Sequence, residues 1–290
     1  MISYCLFHCV ETWSFRLSVS NRKLMQDALI SSDFYLRKCE NLRPQNLEEF
    51  ERLLNDYRST QQPLSVFLNG SNAEKIFAQN ISYAPLKDIS IYIHSDDRIP
   101  SAELMEKMTR HGFKLYSVNW IGDLEFCTPI PIGIPPGSFN NFHGTYIYDN
   151  IVENAKINER IVKFPFYLNF DLTTNIIQRK LALENFAPLD DTFIPKRRLS
   201  HQEHLKAISE SQYVVSPPGA GADCYRTWEA IYLGAIPIVL EEYWPFKHLD
   251  LPVLVVKSYA DFLVNYKRSE VKFLPRVTTQ FVLELPNEFR

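Results

Sequence analysis

The chain has no apolar stretch that approaches the length of a membrane span. Its first residues, MISYCLFHCVETWSF, lack the basic start of a secretory leader and carry Glu11. Neither sign of charge dominates. A formal net charge of −3 argues against a broad nucleic-acid or anionic-membrane surface, and leaves only a local patch for peripheral membrane contact. Cysteine is sparse and odd in number: Cys5, Cys9, Cys39, Cys127 and Cys224. Such a scattered set favours reduced thiols in a cytosol-like compartment. No second Cys/His pair at zinc spacing follows Cys5 and Cys9, so no metal site is expected there. If the chain is complete, it is expected to be cytoplasmic. In a secretory chain, NGS at Asn69 and NIS at Asn80 would be glycosylation acceptors. Glycine is scarce too, nine against eighteen prolines, so a glycine pair inside one motif is a concentrated signal.

What is present reads as two α/β runs, with the boundary expected to divide residues 1–145 from 146–290. NLEEFERLLNDY has helical apolar spacing and an acidic start. LSVFLNGS predicts a strand ending in a turn, and DISIYIHSDD a second strand. Ser101 opens a helix that stops at Gly112, and FKLYSVNW is a third strand. TPIPIGIPPGSFNNF is full of breakers and reads as a domain-edge loop, with a linker and short helix from His143 to Lys163. The second run begins with the strand in FPFYLNFDLTTN and the helix IIQRKLALENF. Ser200 and Glu203 form a capping box for a helix over His201–Ser209. QYVVS, AIPIVL and PVLVVK are then continuous apolar strands, suited to a parallel sheet covered on both faces.

The densest signal is SPPGAGADCYRTWEAIYLGAIPIVLEE, from Ser216 to Glu242. It joins a strand to its crossover helix, on the side of a parallel sheet where ligands bind. Pro217 and Pro218 stiffen the exit. Gly219, Ala220, Gly221 and Ala222 then offer backbone amides with little bulk, and Asp223 is the expected N-cap. A bare backbone entering a helix N-terminus is an anion site, and phosphate suits it best. Asp223, Arg226 and Glu229 step by three, so they occupy adjoining parts of one helix face. Arg226 can fork a diphosphate, and Glu229 can accept two vicinal ribose hydroxyls. The plain structural alternative is an Asp223 cap with an Arg226–Glu229 ion pair.

The P-loop pattern is absent. The dinucleotide pattern G-x-G-x-x-G has Gly219 and Gly221, but Cys224 in third place, with Glu241 suitably placed for a ribose. An NAD- or FAD-dependent oxidoreductase is therefore one alternative function. A non-catalytic nucleotide- or glycan-binding relative of an enzyme is another.

SPPGAGADCYRTWEAIYLGAIPIV resembles the donor-binding motif of the exostosin-like glycosyltransferases. Ser216, Pro217, Gly219, Gly221, Asp223, Arg226, Trp228, Glu229, Ala230, Gly234 and Pro237 fall in place. YLNFDLTTNIIQRK is similar to the strand-loop-helix that opens that family's donor domain, with Asn169, Thr174, Asn175 and Arg179 matching, and TPIPIGIPPG resembles its preceding loop. The likeness covers about Thr128 to Val239. It implies a GT-B architecture, two Rossmann-like domains facing across a cleft, with the donor nucleotide sugar bound by the second. It implies that Arg226 holds the diphosphate and Glu229 the ribose, with no cofactor or metal needed and a glycan or glycolipid as acceptor in polysaccharide biosynthesis. It also implies inversion at the sugar carbon. The absence of Asp-x-Asp agrees with metal independence. Transfer further needs a base for the acceptor hydroxyl. His94, Asp96 and Asp97, at a strand's carboxyl end in the first domain, are the candidates, with an ordinary polar strand exit as the alternative. Glu241 and Glu242 could touch donor hydroxyls or face solvent. Lys196, Arg197 and Arg198 read as a solvated turn, and His201 and His204 as surface residues.

Overall fold

The computed structural model describes residues 29–79, 86–135 and 161–267, together with positions 147, 149 and 289. Cys5, Cys9, Asn80, the end of the breaker-rich loop and nearly all of the 143–163 linker lie outside the described residues.

The first half opens with α1 (Ser32–Lys38) and α2 (Leu47–Thr60). Then come β1 (Leu64–Asn69), α3 (Gly70–Phe77), β2 (Ile89–His94), α4 (Ala102–Arg110), β3 (Lys114–Ser117) and β4 (Thr128–Pro129). The four strands pair in parallel in the order β1-β2-β3-β4. The turn expected after LSVFLN is instead the start of α3. Asn69 is its N-cap: the side-chain oxygen accepts the Ser71 N–H at 3.0 Å, and Nδ2 donates to the Ser95 carbonyl at 2.8 Å. The asparagine–glycine pair that signals a turn serves equally as a helix entry.

The second half contains β5 (Phe164–Tyr167), α5 (Ile176–Phe186), β6 (Thr192–Phe193) and α6 (His201–Ser209), then β7 (Ser211–Val215), α7 (Tyr225–Tyr232), β8 (Ile236–Leu240), β9 (Leu254–Val256) and α8 (Tyr259–Lys267). All five strands are parallel, in the order β6-β5-β7-β8-β9. The chain winds outward from β5 to β6, then returns to the other side of β5 and winds the opposite way. The reversal opens a crevice at the carboxyl ends of β5 and β7, where open α/β sheets bind ligands. The Ser200–Glu203 capping box is present and fixes the start of α6. Because α6 runs back against the strands, its first turn lies beside that crevice.

Each sheet has its own core: Phe50, Leu54, Ile76, Ile91 and Met105 in the first, and Phe166, Phe186, Tyr213, Ile238 and Phe262 in the second. A third apolar cluster joins the halves. It brings Leu29, Ile30, Val118, Ile130, Ile132 and Ile134 against Trp228, Ile231, Tyr232 and Phe246. Ile30 N–H donates to the Tyr232 hydroxyl at 2.8 Å within it. The uncharged TPIPIGI stretch is therefore packed rather than looped out: Ile130, Ile132 and Ile134 are buried, and Ile134 bridges in parallel to Ser31. Gly133 turns there at φ 68°, with the Ile30 carbonyl where a Cβ would stand.

Candidate functional site

A groove of about 980 Å³ lies over the β5–β7 crevice. Arg179, Arg197, Arg198 and Arg226 line it, with Asp171, Asp223 and Glu229. From the first half it receives Asp97 and Ile132.

Among the described residues, the two central guanidiniums are held by backbone carbonyls rather than by carboxylates. Arg226 Nε donates to the Asn169 carbonyl at 3.1 Å, and Nη1 stands 3.5 Å from Ser216 Oγ. Arg179, on α5, is buried; its Nε donates to the Pro218 carbonyl at 3.1 Å and its Nη1 to the Asp171 carbonyl. Both lie over the Phe170 ring, at 5.3 Å for Arg226 and 5.8 Å for Arg179. Burial first, and next the charge of Arg226, lower the Arg179 pKa from its ordinary value. Two like charges held together in a partly desolvated crevice have the chemistry to take an anion with more than one charged oxygen.

The bare loop divides its work. The Gly219 N–H is turned inward to the Gly221 carbonyl at 3.1 Å. Those of Ala220, Gly221 and Ala222 have no hydrogen-bond partner among the described residues. The glycines are required by close approach: a Cβ on Gly219 would stand 2.9 Å from Arg179 Nη2, and one on Gly221 about 2.5 Å from Asn119 Nδ2. Thus Gly219 admits a guanidinium, while Gly221 admits a side chain from the first half. Nor does this geometry support the dinucleotide alternative, because the face of Gly221 is covered by Asn119 rather than left for a pyrophosphate.

Asp223 does not cap the helix, as expected from the sequence. The N-cap of α7 is Cys224, which makes no side-chain cap bond. The Asp223 carboxylate instead gathers three N–H donors: Cys224 at 2.8 Å, Trp228 Nε1 at 2.7 Å and, from the first half, Ile132 at 2.9 Å. Its own N–H donates to Asn119 Oδ1 at 2.9 Å, and Asn119 Nδ2 donates to the Asp96 carbonyl at 3.0 Å. Burial outweighs the accepted bonds and pushes the Asp223 carboxyl up to about 7. Asp223 is thus a cross-link between the halves.

The Glu229 carboxylate, offered as the Arg226 partner, turns toward α6. Glu229 is buried beside α6: Oε2 is 3.2 Å from His204 Nε2, and Oε1 is 3.9 Å from His201 Nε2. Ser216 Oγ pairs with Thr227 Oγ1 at 2.8 Å, beneath Arg226. Asn175 caps α5 and donates to the Gly219 carbonyl at 3.1 Å, so it braces the loop. Thr174 and Ala220 line the groove. Glu241 lies in a short 3-10 turn after β8 and is not among the groove's lining residues.

Of the three base candidates, geometry brings one to the groove. His94 points into the first half's core: Nε2 is 3.2 Å from the Pro131 carbonyl, Nδ1 accepts the Ser95 N–H at 2.7 Å, and burial pulls its pKa down to about 4. Asp96 is paired with Arg98 at 2.9 Å, and that bond chiefly lowers its pKa. Asp97 is exposed and lines the groove. It faces the α7 side closely enough to contribute, after burial, to pushing the Tyr225 phenol up to about 12.

Several site residues carried weak sequence signals. His204 reads as surface, yet its side chain is only 17% exposed and lies against Tyr167, Asn169 and Glu229. Arg198 and Arg197 read as a solvated turn but line the groove, the latter while paired with Glu203 at 2.5 Å. The usable clue is topological: a helix antiparallel to the strands places its first turn at their carboxyl ends. Asn119 gives no clue at all.

Residues 174–259 match the family model described as the RXYLT1 C-terminal domain. The match spans the groove-lining residues from Thr174 to Glu229, and it supports a glycosyltransferase of the exostosin-like kind. No curated protein matches the chain. No helix among the described residues is long and apolar enough to cross a membrane.

Proposed function

We propose that this protein is an inverting, metal-independent glycosyltransferase that moves a sugar from a nucleoside diphosphate to a glycan or glycolipid acceptor. One observation carries the reading: Arg179 and Arg226 stand together at the topological switch of the second sheet, at the N-terminus of α7. The proposed division is 1–145 for an acceptor domain and 146–290 for the donor domain, a GT-B arrangement with the groove as its cleft.

In this reading the diphosphate rests on Arg226, Arg179 and the Ala220 amide. Glu229 accepts the ribose hydroxyls. Asp97 takes the proton from the acceptor hydroxyl as that oxygen bonds to the sugar carbon. The bond from that carbon to the phosphate oxygen breaks, and the nucleoside diphosphate leaves with the electron pair. Developing charge on the leaving group meets donors already aimed at it, which lowers the barrier. The guanidinium pair does the work for which other transferases use a divalent ion, so the proposal includes no cofactor. A cytoplasmic setting is part of it as well.

The internal engagement of His94 and Asp96 favours one second reading, a nucleotide-binding relative without transfer activity. A screen of nucleotide sugars read by nucleotide release separates the two. Release that needs an acceptor and is lost in Asp97→Asn supports the transferase. Tight nucleotide binding without release across a broad acceptor panel supports the second reading.

A further inference from the structure

The Glu229 carboxylate is almost wholly buried, yet it lies at the groove. A buried carboxylate oxygen needs a donor, and its orientation follows that donor. Here the donor comes from α6. His204 Nδ1 is 3.0 Å from Asn169 Nδ2 and 2.8 Å from the Tyr167 hydroxyl. The Asn169 amide nitrogen can only donate, so Nδ1 accepts and the ring proton sits on Nε2. That proton points at Glu229 Oε2, 3.2 Å away. The Asn169 backbone carbonyl meanwhile holds Arg226 Nε. One residue thus ties the imidazole to the guanidinium.

We propose that His204 is the positioning residue that sets Glu229 to read a vicinal diol, and so makes the site selective for ribonucleotides over 2′-deoxyribonucleotides. The proposal rests on the nucleotide reading of the groove. It assigns His204 no contact with the reacting atoms. With Oε2 held by His204 Nε2, the carboxylate plane is fixed and its outer edge meets the sugar hydroxyls. Without His204 the carboxylate loses its Oε2 donor and keeps its other neighbours, among them His201 at 3.9 Å from Oε1, so discrimination between the two sugars weakens.

The test is calorimetric binding of UDP, GDP, their 2′-deoxy counterparts and inorganic pyrophosphate to the whole chain. The expected wild-type preference for the ribose form is about tenfold or more, the worth of a hydrogen bond to a charged acceptor. In His204→Ala the ratio is expected to fall to about twofold or less, with pyrophosphate affinity unchanged, and His204→Gln, which keeps an N–H donor, to recover most of it. An unchanged ratio in His204→Ala overturns the proposal. So does an equal loss of all ligands, which would mean a collapsed groove. Wild-type protein that binds UDP and 2′-deoxy-UDP equally overturns this proposal and leaves the nucleotide site standing. Wild-type protein that binds none of these ligands overturns the nucleotide reading itself.

Discussion

Gly221 decides between two uses of the bare loop, and a double-mutant cycle with Asn119 reads the answer. A Cβ on Gly221 would lie about 2.5 Å from the Asn119 side chain. The φ of Gly221 lies outside the left-handed region, so alanine is acceptable to the backbone and only the neighbour forbids it. Gly221→Ala alone is expected to destabilise by about 1–3 kcal/mol, as overpacking does. Asn119→Gly removes the obstacle while tolerating the left-handed φ of 60° at that position. It also leaves the Asp223 N–H without its acceptor and frees the Asp96 carbonyl, a loss of about 2–3 kcal/mol. In the Asn119→Gly background the added methyl enters vacated space. The second substitution is then expected to be neutral or to stabilise by about 0.5 kcal/mol through the unfolded chain. The coupling is therefore about 1–3 kcal/mol. Urea unfolding at fixed pH measures it from midpoints at constant slope. Additivity within about 0.5 kcal/mol would refute the packing account and return Gly221 to the anion site.

Other outcomes follow from the same geometry. The Asp223 carboxyl is held up at about 7, against about 4 when unfolded, so the folded state keeps a proton that the unfolded state loses. Its contribution to stability is full below about pH 4, falls as pH rises through about 7 and is constant above; the difference in urea midpoint between wild type and Asp223→Asn across that range should trace this fall. Trp228 is fully buried, donates to Asp223 at 2.7 Å and packs edge-on against Phe246, so Trp228→Ala should lose about 3–5 kcal/mol in the same assay. Asp97→Asn should lower turnover by about a hundredfold or more with nucleotide affinity unchanged, whereas His94→Gln should leave the pH dependence of turnover intact.

Local chemistry made much of the fold readable. The Ser200–Glu203 box and the Ser101 cap each place a helix entry through contacts within a few residues, and both are present. Continuous apolar runs such as IPIVL can only be strands covered on both faces, and β8 is buried throughout. Position was legible where orientation was not. His94 does end β2, but its ring turns toward Pro131, a partner that no local pattern reveals. Asp223 has the residue type and place of an N-cap; a backbone N–H 91 residues earlier in the chain takes its carboxylate instead. Asn119, a lone residue in left-handed geometry, has meaning only once Gly221, Asp96 and Asp223 surround it. The groove's cationic centre was legible in part. Arg226 follows from the glycine-loop motif and Arg179 from the YLNFDLTTNIIQRK likeness, but that the two meet over one Phe170 ring has no local signal.

The most direct measurement is titration of UDP and GDP into wild type, Arg226→Ala and Arg179→Ala, each checked for folding by its thermal transition. Saturable binding by the wild type that weakens about tenfold or more in each folded variant, and falls with added salt, is the result this account predicts. Binding by neither nucleotide, or binding indifferent to both arginines, would contradict it.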